Sequence, residues 1–236
     1  MKNIAIITGA SSGIGREFVR QLDGQFDEFW GIGLGQEALD RVREETKTPF
    51  IGLDLDLTKE ESFDVIRNKL DEEKPNVKFL ANCSGFGKFG RYDEIDVKDS
   101  ANMVDLNCKA LLQMTEYVLP YMSEGGRIVE IASVAGFQPI PYMAVYGASK
   151  AFVVSYSRAL NQELKSRKIK ITCVCPFWTK TAFFDRAKDT KAKNEVVTYY
   201  AAMYKPERVV KKAIKDSKKG FFKYVNSKGG SKENTV

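Results

Sequence analysis

The chain has 236 residues and a net charge of +6, and 43% of its residues are hydrophobic. This length suits one large domain with a sizeable core. The sequence contains no histidine, which excludes a Ser-His-Asp hydrolase, a Cys-His protease and a histidine-ligated metal site. We expect no bound metal, and any acid–base chemistry must come from Tyr, Lys, Asp, Glu or Cys side chains.

The cysteines favour a cytoplasmic protein. The four cysteines form no CxxC pair, which is typical of a reduced compartment. No stretch approaches the roughly 18 apolar residues that a membrane span needs. Residues 186–236 carry 14 Lys or Arg residues and 5 Asp or Glu residues. A solvated lysine face is the simplest interpretation, and we expect no nucleic-acid partner because no nucleic-acid motif accompanies the charge.

Short apolar runs alternate along the chain with amphipathic segments of helical length. The predicted strands cover residues 3–8, 28–33, 49–53, 77–82, 127–132, 169–175 and 221–225. The predicted helices cover residues 13–22, 37–45, 59–72, 100–122, 146–165 and 206–217. The first strand is apolar on both faces, as in parallel sheets covered by helices. The pattern predicts one domain over residues 1–236, with a doubly wound, mostly parallel seven-stranded α/β sheet of the Rossmann type.

Two segments stand apart from this alternation. Residues 182–204 are expected to form a substrate lid with helical character. Residues 228–236 are polar and rich in glycine and lysine, and we expect them to be a flexible tail.

A glycine-rich turn, TGASSGIG at residues 8–15, joins the first strand to the first helix. Small residues let the backbone approach a pyrophosphate, and the helix N-terminus offers amide groups and a positive dipole end to it. The spacing is GxxxGxG rather than GxGxxG, but its place between strand and helix predicts a dinucleotide site. The residues expected to contact the cofactor here are Gly9, Ser11, Ser12, Gly13, Ile14 and Gly15.

Cofactor choice depends on the end of the second strand, GIGLGQ at residues 31–36. An acidic residue at this place binds the ribose 2′-hydroxyl of NAD and repels the 2′-phosphate of NADP. The segment carries no charge of either sign, and Leu34 takes the position beside the ribose. We therefore expect NADP or NAD, with a slight preference for NADP because no carboxylate in this segment opposes the phosphate.

Tyr146 and Lys150 belong to a YxxxK motif, and the i, i+4 spacing places them on one face of a helix. A phenol has a pKa of about 10, and a nearby ammonium lowers it, so that such a pair is suited to exchange a proton with an alcohol or a carbonyl. Tyr224 and Lys228 match the same pattern, so the motif alone is weak. Ser133 distinguishes the first pair, because it lies 13 residues before Tyr146 and directly after a predicted strand.

Taken in order, these motifs resemble the short-chain dehydrogenase/reductase family, in its single-domain branch with a TGxxxGxG turn and a YxxxK motif. The matching positions are Thr8 to Gly15, Asp56-Leu57, Asn82-Cys83-Ser84-Gly85, Asn107, Ser133, Tyr146 to Lys150, Pro176 and Thr181. The resemblance implies an NAD(P)-dependent oxidoreductase. It also implies that most of the chain is one cofactor-binding domain.

The resemblance also implies a role for each residue of the expected catalytic group. Tyr146 donates the proton in carbonyl reduction and accepts it in alcohol oxidation, and Ser133 hydrogen-bonds the substrate oxygen. Lys150 holds the nicotinamide ribose and lowers the pKa of Tyr146, and Asn107 anchors a water of the proton relay. The further cofactor contacts implied are Leu34, Asp56, Leu57, Asn82, Ser84, Gly85, Tyr146, Lys150, Pro176, Thr179 and Thr181.

The expected substrate pocket is apolar and aromatic, as ligand pockets often are. Its candidate residues are Phe86, Phe137, Tyr142, Met143, Phe177, Trp178 and Phe183. The usual Pro-Gly after the sixth strand is replaced by Pro176-Phe177-Trp178, which places a bulky side chain beside the nicotinamide site. These features predict interconversion of a hydrophobic ketone and a secondary alcohol.

Two other functions stay open. One is a 3-oxoacyl-thioester reductase of lipid synthesis, and the other is a nucleotide-binding regulatory protein without catalysis. The helix predicted at residues 146–165 carries more apolar and small residues than one core-facing stripe needs. In the resembling family this helix often forms a dimer face, so we expect a homodimer or a homotetramer.

Overall fold

Seven parallel strands form one sheet in the part of the chain that the structure, a computed structural model, describes: residues 1–192, 203–219 and 223–225. The strands are β1 (Asn3–Thr8), β2 (Glu28–Gly33), β3 (Phe50–Asp54), β4 (Asn76–Asn82), β5 (Met122–Ile131), β6 (Lys170–Pro176) and β7 (Lys223–Val225). Their order across the sheet is β3-β2-β1-β4-β5-β6-β7. Strands β1 to β6 have five or more residues, and β7 has three.

Helices cover both faces of this sheet. They are α1 (Gly13–Leu22), α2 (Gln36–Glu45), α3 (Glu60–Glu73), α4 (Val97–Val104), α5 (Leu111–Val118), α6 (Ala144–Glu163), α7 (Phe183–Lys188) and α8 (Pro206–Ser217). A π-helical turn, Asp105–Ala110, joins α4 to α5. The predicted Rossmann-like α/β fold is confirmed.

Strand β1 shows how the sequence builds two cores. Ile4 and Ile6 pack on one face with side chains of α3 and α5, whereas Ala5 and Ile7 pack on the other with α1, α2 and α8. All four side chains are fully buried. Alternate residues of a strand point to opposite faces, so an uninterrupted apolar run requires helices on both. Each such isoleucine contributes about 1.5–3 kcal/mol by leaving water.

The strand order places the site. The chain moves outward from β1 through β2 to β3, then returns to the other side of β1 with β4. The connections therefore diverge between β1 and β4, and a crevice opens beyond the carboxyl ends of these two strands. The glycine-rich turn follows β1 at this edge, and the segment after β4 lies beside it.

The predicted helix at residues 100–122 is the element that differs most from expectation. Helix α4 starts earlier, because the side chain of Asp96 accepts a hydrogen bond from the Lys98 amide at 2.8 Å and caps it. The π-helical turn interrupts the middle, and a short 3₁₀ turn at Leu119–Tyr121 ends the run. Apolar periodicity does not separate α- from π-helical turns over so few residues, which is why the sequence predicts one continuous helix.

Several predicted segments extend beyond the described residues. Of the lid expected at residues 182–204, the described part is 182–192, which contains α7, and 203–204. The strand predicted at 221–225 is described at 223–225, where it forms β7, and the tail at 228–236 lies outside the described residues. No helix among the described residues is long and apolar enough to cross a membrane.

Candidate active site

The glycine-rich turn leaves the first turn of α1 open to an anion. Gly15 packs so closely that a Cβ built on it would lie 2.2 Å from the carbonyl oxygen of Gly9. Ser12 is the N-cap of α1, yet no side chain caps this end and the first turn carries no acidic residue. The amide groups at the N-terminus of α1 therefore remain available at the cleft wall, as a bound pyrophosphate requires.

Ser133, Tyr146 and Lys150 meet at the carboxyl edge of the sheet. Ser133 lies two residues after the end of β5, and its hydroxyl accepts a hydrogen bond from the Ala135 amide at 3.2 Å. Tyr146 and Lys150 lie one turn apart near the start of α6. The three residues are 8%, 8% and 5% exposed, and all three line one cleft. The structure thus brings together the expected serine, tyrosine and lysine.

The proton affinities of this group are set by burial. Burial raises the pKa of Tyr146 to about 12, while the neighbouring Ser133 hydroxyl acts in the lowering direction. Burial also lowers the pKa of Lys150 to about 8. The Lys150 ammonium donates to the Ile131 carbonyl oxygen at 2.8 Å and lies 5.9 Å from the Tyr146 ring centroid. The lowering of the Tyr146 pKa by Lys150 stays a prediction. In the structure, burial is the largest influence on this pKa and Ser133 acts in the lowering direction.

Asn107 lies in the π-helical turn and ties the segment after β4 to α6. Its side-chain oxygen accepts from the Phe86 amide at 3.0 Å. Its side-chain nitrogen donates to the Phe86 carbonyl oxygen at 2.8 Å and to the Ser149 hydroxyl at 3.0 Å. Ser149 in turn donates to the Tyr146 carbonyl oxygen at 2.8 Å. Both amide hydrogens of Asn107 are therefore used, and the residue is fully buried behind the cleft wall. Within this structure Asn107 is a positioning residue.

The cleft, of about 550 Å³, extends from the glycine-rich turn to α7. The expected cofactor residues on its wall are Gly9, Ser11, Ser12, Gly13, Ile14, Gly15, Leu34, Asp56, Leu57, Ser84, Gly85, Tyr146, Lys150, Pro176, Thr179 and Thr181. Asn82 is the exception. Its side chain donates to Thr115 of α5 at 2.9 Å and to Glu130 of β5 at 3.1 Å.

The other end of the cleft is aromatic. The expected substrate residues on its wall are Phe86, Met143, Phe177, Trp178 and Phe183. Phe137 and Tyr142 do not line the cleft, and their side chains are 37% and 50% exposed. Tyr142 has a positive φ of 65°, a left-handed turn conformation that places it outside the predicted wall.

A glycine allows this aromatic wall to meet the tyrosine. A Cβ built on Gly87 would lie 2.8 Å from the Phe183 ring and 2.9 Å from the Tyr146 ring. The ring centroids of Tyr146 and Phe183 are 5.4 Å apart, within the range of favourable aromatic contact. The first residue of α7 thus packs directly on the expected proton donor.

Arg186, on α7, is a cleft residue that the sequence did not predict. Its guanidinium carbon lies 4.5 Å from the ring centroid of Phe86, which is favourable cation–π geometry. No motif indicates Arg186, because it lies in the basic segment at residues 186–236, for which the sequence predicts a solvated lysine face.

The sheet is doubly wound and parallel, and the helix that follows the glycine-rich turn has no side-chain cap. A buried Ser-Tyr-Lys group lines the same cleft. Together these features define a dinucleotide-binding enzyme of the Rossmann type. Comparison with known proteins narrows this class, since residues 3–192 match the family described as short chain dehydrogenase. The chain therefore belongs to the short-chain dehydrogenase/reductase family and is an NAD(P)-dependent oxidoreductase.

Individual relatives agree with this assignment. The chain is 33% identical over 198 residues to sulfoacetaldehyde reductase 2 of Chromohalobacter salexigens, covering 78% of this chain and 75% of that one. It is 30% identical over 223 residues to the very-long-chain 3-oxoacyl-CoA reductase of Bos taurus, covering 89% and 67%. Among solved structures it is similar to a short-chain dehydrogenase from Sphingobium yanoikuyae in complex with NADPH, with a TM-score of 0.81, 28% identity and coverage of 93% and 86%.

Proposed function

We propose that this enzyme interconverts a hydrophobic ketone and the corresponding secondary alcohol, with Tyr146 exchanging the proton. The observation that carries the proposal is the position of Tyr146, which lies on the cleft wall beside Ser133 and in ring contact with Phe183. A substrate oxygen at this place would meet two hydroxyl groups, and its carbon skeleton would extend over an apolar surface.

The bound nicotinamide supplies or removes the hydride. The residues of the chain bind the dinucleotide, orient the substrate and exchange the proton. The amide groups of the α1 N-terminus would hold the pyrophosphate, and Asp56 and Leu57 would flank the adenine. Because burial raises the pKa of Tyr146 to about 12, its hydroxyl is protonated at neutral pH. This is the form that donates a proton to a carbonyl when the reaction runs as a reduction.

The experiment is a screen of ketones and alcohols, read by absorbance of the reduced nicotinamide, with wild type and Tyr146→Phe. The variant should lose turnover by more than about a thousandfold, while its affinity for the reduced dinucleotide changes little. The second YxxxK motif offers a matched control, since Tyr224→Phe should retain wild-type turnover. Residual activity of Tyr146→Phe within about tenfold of wild type would refute the assignment.

A 3-oxoacyl thioester is the second candidate substrate, and Arg186 favours it. The guanidinium group lies over Phe86 at the aromatic end of the cleft, and no carboxylate among the described residues forms an ion pair with it. A phosphate of a thioester carrier is an anion that an arginine binds well. The similarity to a 3-oxoacyl-CoA reductase points the same way.

The effect of Arg186→Gln on KM distinguishes the two candidate substrates, a neutral ketone and a 3-oxoacyl thioester. With a 3-oxoacyl-CoA substrate, the variant should raise KM about tenfold or more, the size of one lost charge-assisted contact. With a neutral ketone of similar chain length, KM should stay the same. Arg208→Gln is the control, because Arg208 also rests on an aromatic ring, that of Tyr204 at 5.4 Å, but lies on α8.

A further inference from the structure

Two residues on the cleft wall, Gly33 and Leu34, mark where the adenosine ribose of a dinucleotide would lie if the proposed function holds. Helix α2 begins at Gln36, directly behind them. A helix N-terminus at this place would normally offer its free amides and its positive dipole end to the 2′-phosphate of NADP.

In this chain a carboxylate already occupies that N-terminus. The N-cap of α2 is Gly35, which has no side chain to cap the helix. Asp54, the last residue of β3, reaches across instead. One of its carboxylate oxygens accepts from the Gly35 amide at 2.9 Å and the other from the Gln36 amide at 3.1 Å. These amides are therefore satisfied by an anion that belongs to the protein.

The cleft wall offers no cation to offset this charge near the ribose. Among the described residues that line the cleft, only Lys150 and Arg186 are basic. Lys150 lies beside Tyr146 and Arg186 lies over Phe86, so both belong to the catalytic and substrate end. A 2′-phosphate near Leu34 would meet no basic side chain of the wall. The Asp54 carboxylate would lie close by, because it accepts from the amides of Gly35 and Gln36, the next two residues along the chain.

We propose that Asp54 selects NAD over NADP. The acidic residue that discriminates against the 2′-phosphate is supplied by β3 rather than by the end of β2, and it acts through the N-terminus of α2. The sequence predicts a slight preference for NADP because no carboxylate follows β2. The pairing of β2 with β3, however, places the Asp54 carboxylate beside Gly33 at the end of β2. In water, the repulsion between one carboxylate and a doubly charged phosphate a few ångströms apart corresponds to about tenfold in affinity.

Fluorescence titration of the full chain with NADH and with NADPH tests this inference without relying on turnover. Wild type should bind NADH at least about tenfold more tightly than NADPH. Asp54→Asn should remove most of this preference for NADH, mainly because the variant binds NADPH more tightly. Asp27→Asn is the matched control, because the carboxylate of Asp27 also accepts from a backbone amide, that of Asn3 at 2.7 Å, but before β2, at the opposite end of that strand.

Three results would overturn the inference. Wild type that binds NADPH as tightly as NADH contradicts it directly, with no dependence on the folding of a variant. If Asp54→Asn unfolds at the wild-type temperature and still prefers NADH over NADPH by the wild-type factor, Asp54 is not the cause of the preference. Failure to bind either dinucleotide overturns the proposed function itself, and the inference with it.

Discussion

Glu130 is a buried carboxyl group that the proposed chemistry does not use, and Glu130→Gln should stabilise the protein in a pH-dependent way. Glu130 lies in β5 beside Asn82 of β4 and is fully buried. One of its oxygens accepts from Asn82 at 3.1 Å and from Thr115 at 2.9 Å. The other has no hydrogen-bond partner. Burial raises the pKa of Glu130 from the ordinary 4.5 to about 7, against the lowering contacts of Thr115 and Asn82 and the charge of Lys150.

The pKa gives the size and sign of the effect. The folded chain binds this proton more tightly than the unfolded chain, so stability is lost as pH rises from about 4.5 toward 7. At 1.36 kcal/mol per pKa unit, the cost of ionising Glu130 is about 3 kcal/mol at pH 8 and about 1 kcal/mol at pH 5. A glutamine keeps an oxygen for Asn82 and Thr115 without the charge. The advantage of Glu130→Gln should therefore grow by about 2 kcal/mol between pH 5 and pH 8.

Urea unfolding at several pH values measures this difference, with the slope of the transition as a check that the unfolded state is unchanged. Any fixed cost of fitting the amide cancels, because only the change with pH is compared. Glu124→Gln is the control, since Glu124 is on the same strand but its side chain is 67% exposed. A stability difference for Glu130→Gln that does not grow with pH would refute the reasoning.

Two further predictions concern catalysis and assembly. Ser133→Ala should lower kcat by about a hundredfold, because it removes a donor aimed at the substrate oxygen, and an unchanged rate would remove Ser133 from the site. Phe152 is 38% exposed on α6 and stacks on Tyr156 with ring centroids 5.8 Å apart, an apolar surface suited to contact with a second copy of the chain. Light scattering should show a dimer or a tetramer that Phe152→Asp weakens, and a wild-type monomer at micromolar concentration would contradict the expected assembly.

The sequence predicts the strands and the proximity of Ser133, Tyr146 and Lys150 well, because local signals determine both. Apolar runs locate β1 and β2 at their observed bounds, and the i, i+4 spacing of Tyr146 and Lys150 is a property of any α-helix. The position of Ser133 follows from its place two residues after the end of β5. In each case the information lies within a few consecutive residues.

What the sequence misses depends on contacts between distant segments. Asp54 caps α2 only because β3 pairs with β2, and no pattern near Gly35 indicates it. Asn82 turns toward α5 because Thr115 and Glu130 offer it partners there. Tyr142 lies outside the predicted wall and is half exposed. The pKa of Tyr146 likewise follows from how deeply α6 and α7 bury the phenol, which the YxxxK spacing alone does not determine.

The central claim is that the nicotinamide transfers a hydride to the ketone carbon while Tyr146 donates the proton to its oxygen. An isotope experiment tests it most directly. The enzyme is incubated with NADH deuterated at the transferable position of the nicotinamide and with a hydrophobic ketone from the screen. Mass spectrometry of the alcohol should then find one deuterium on the carbinol carbon with wild type, and almost no alcohol with Tyr146→Phe. Alcohol without deuterium on that carbon, or equal labelled product from Tyr146→Phe, would contradict the account.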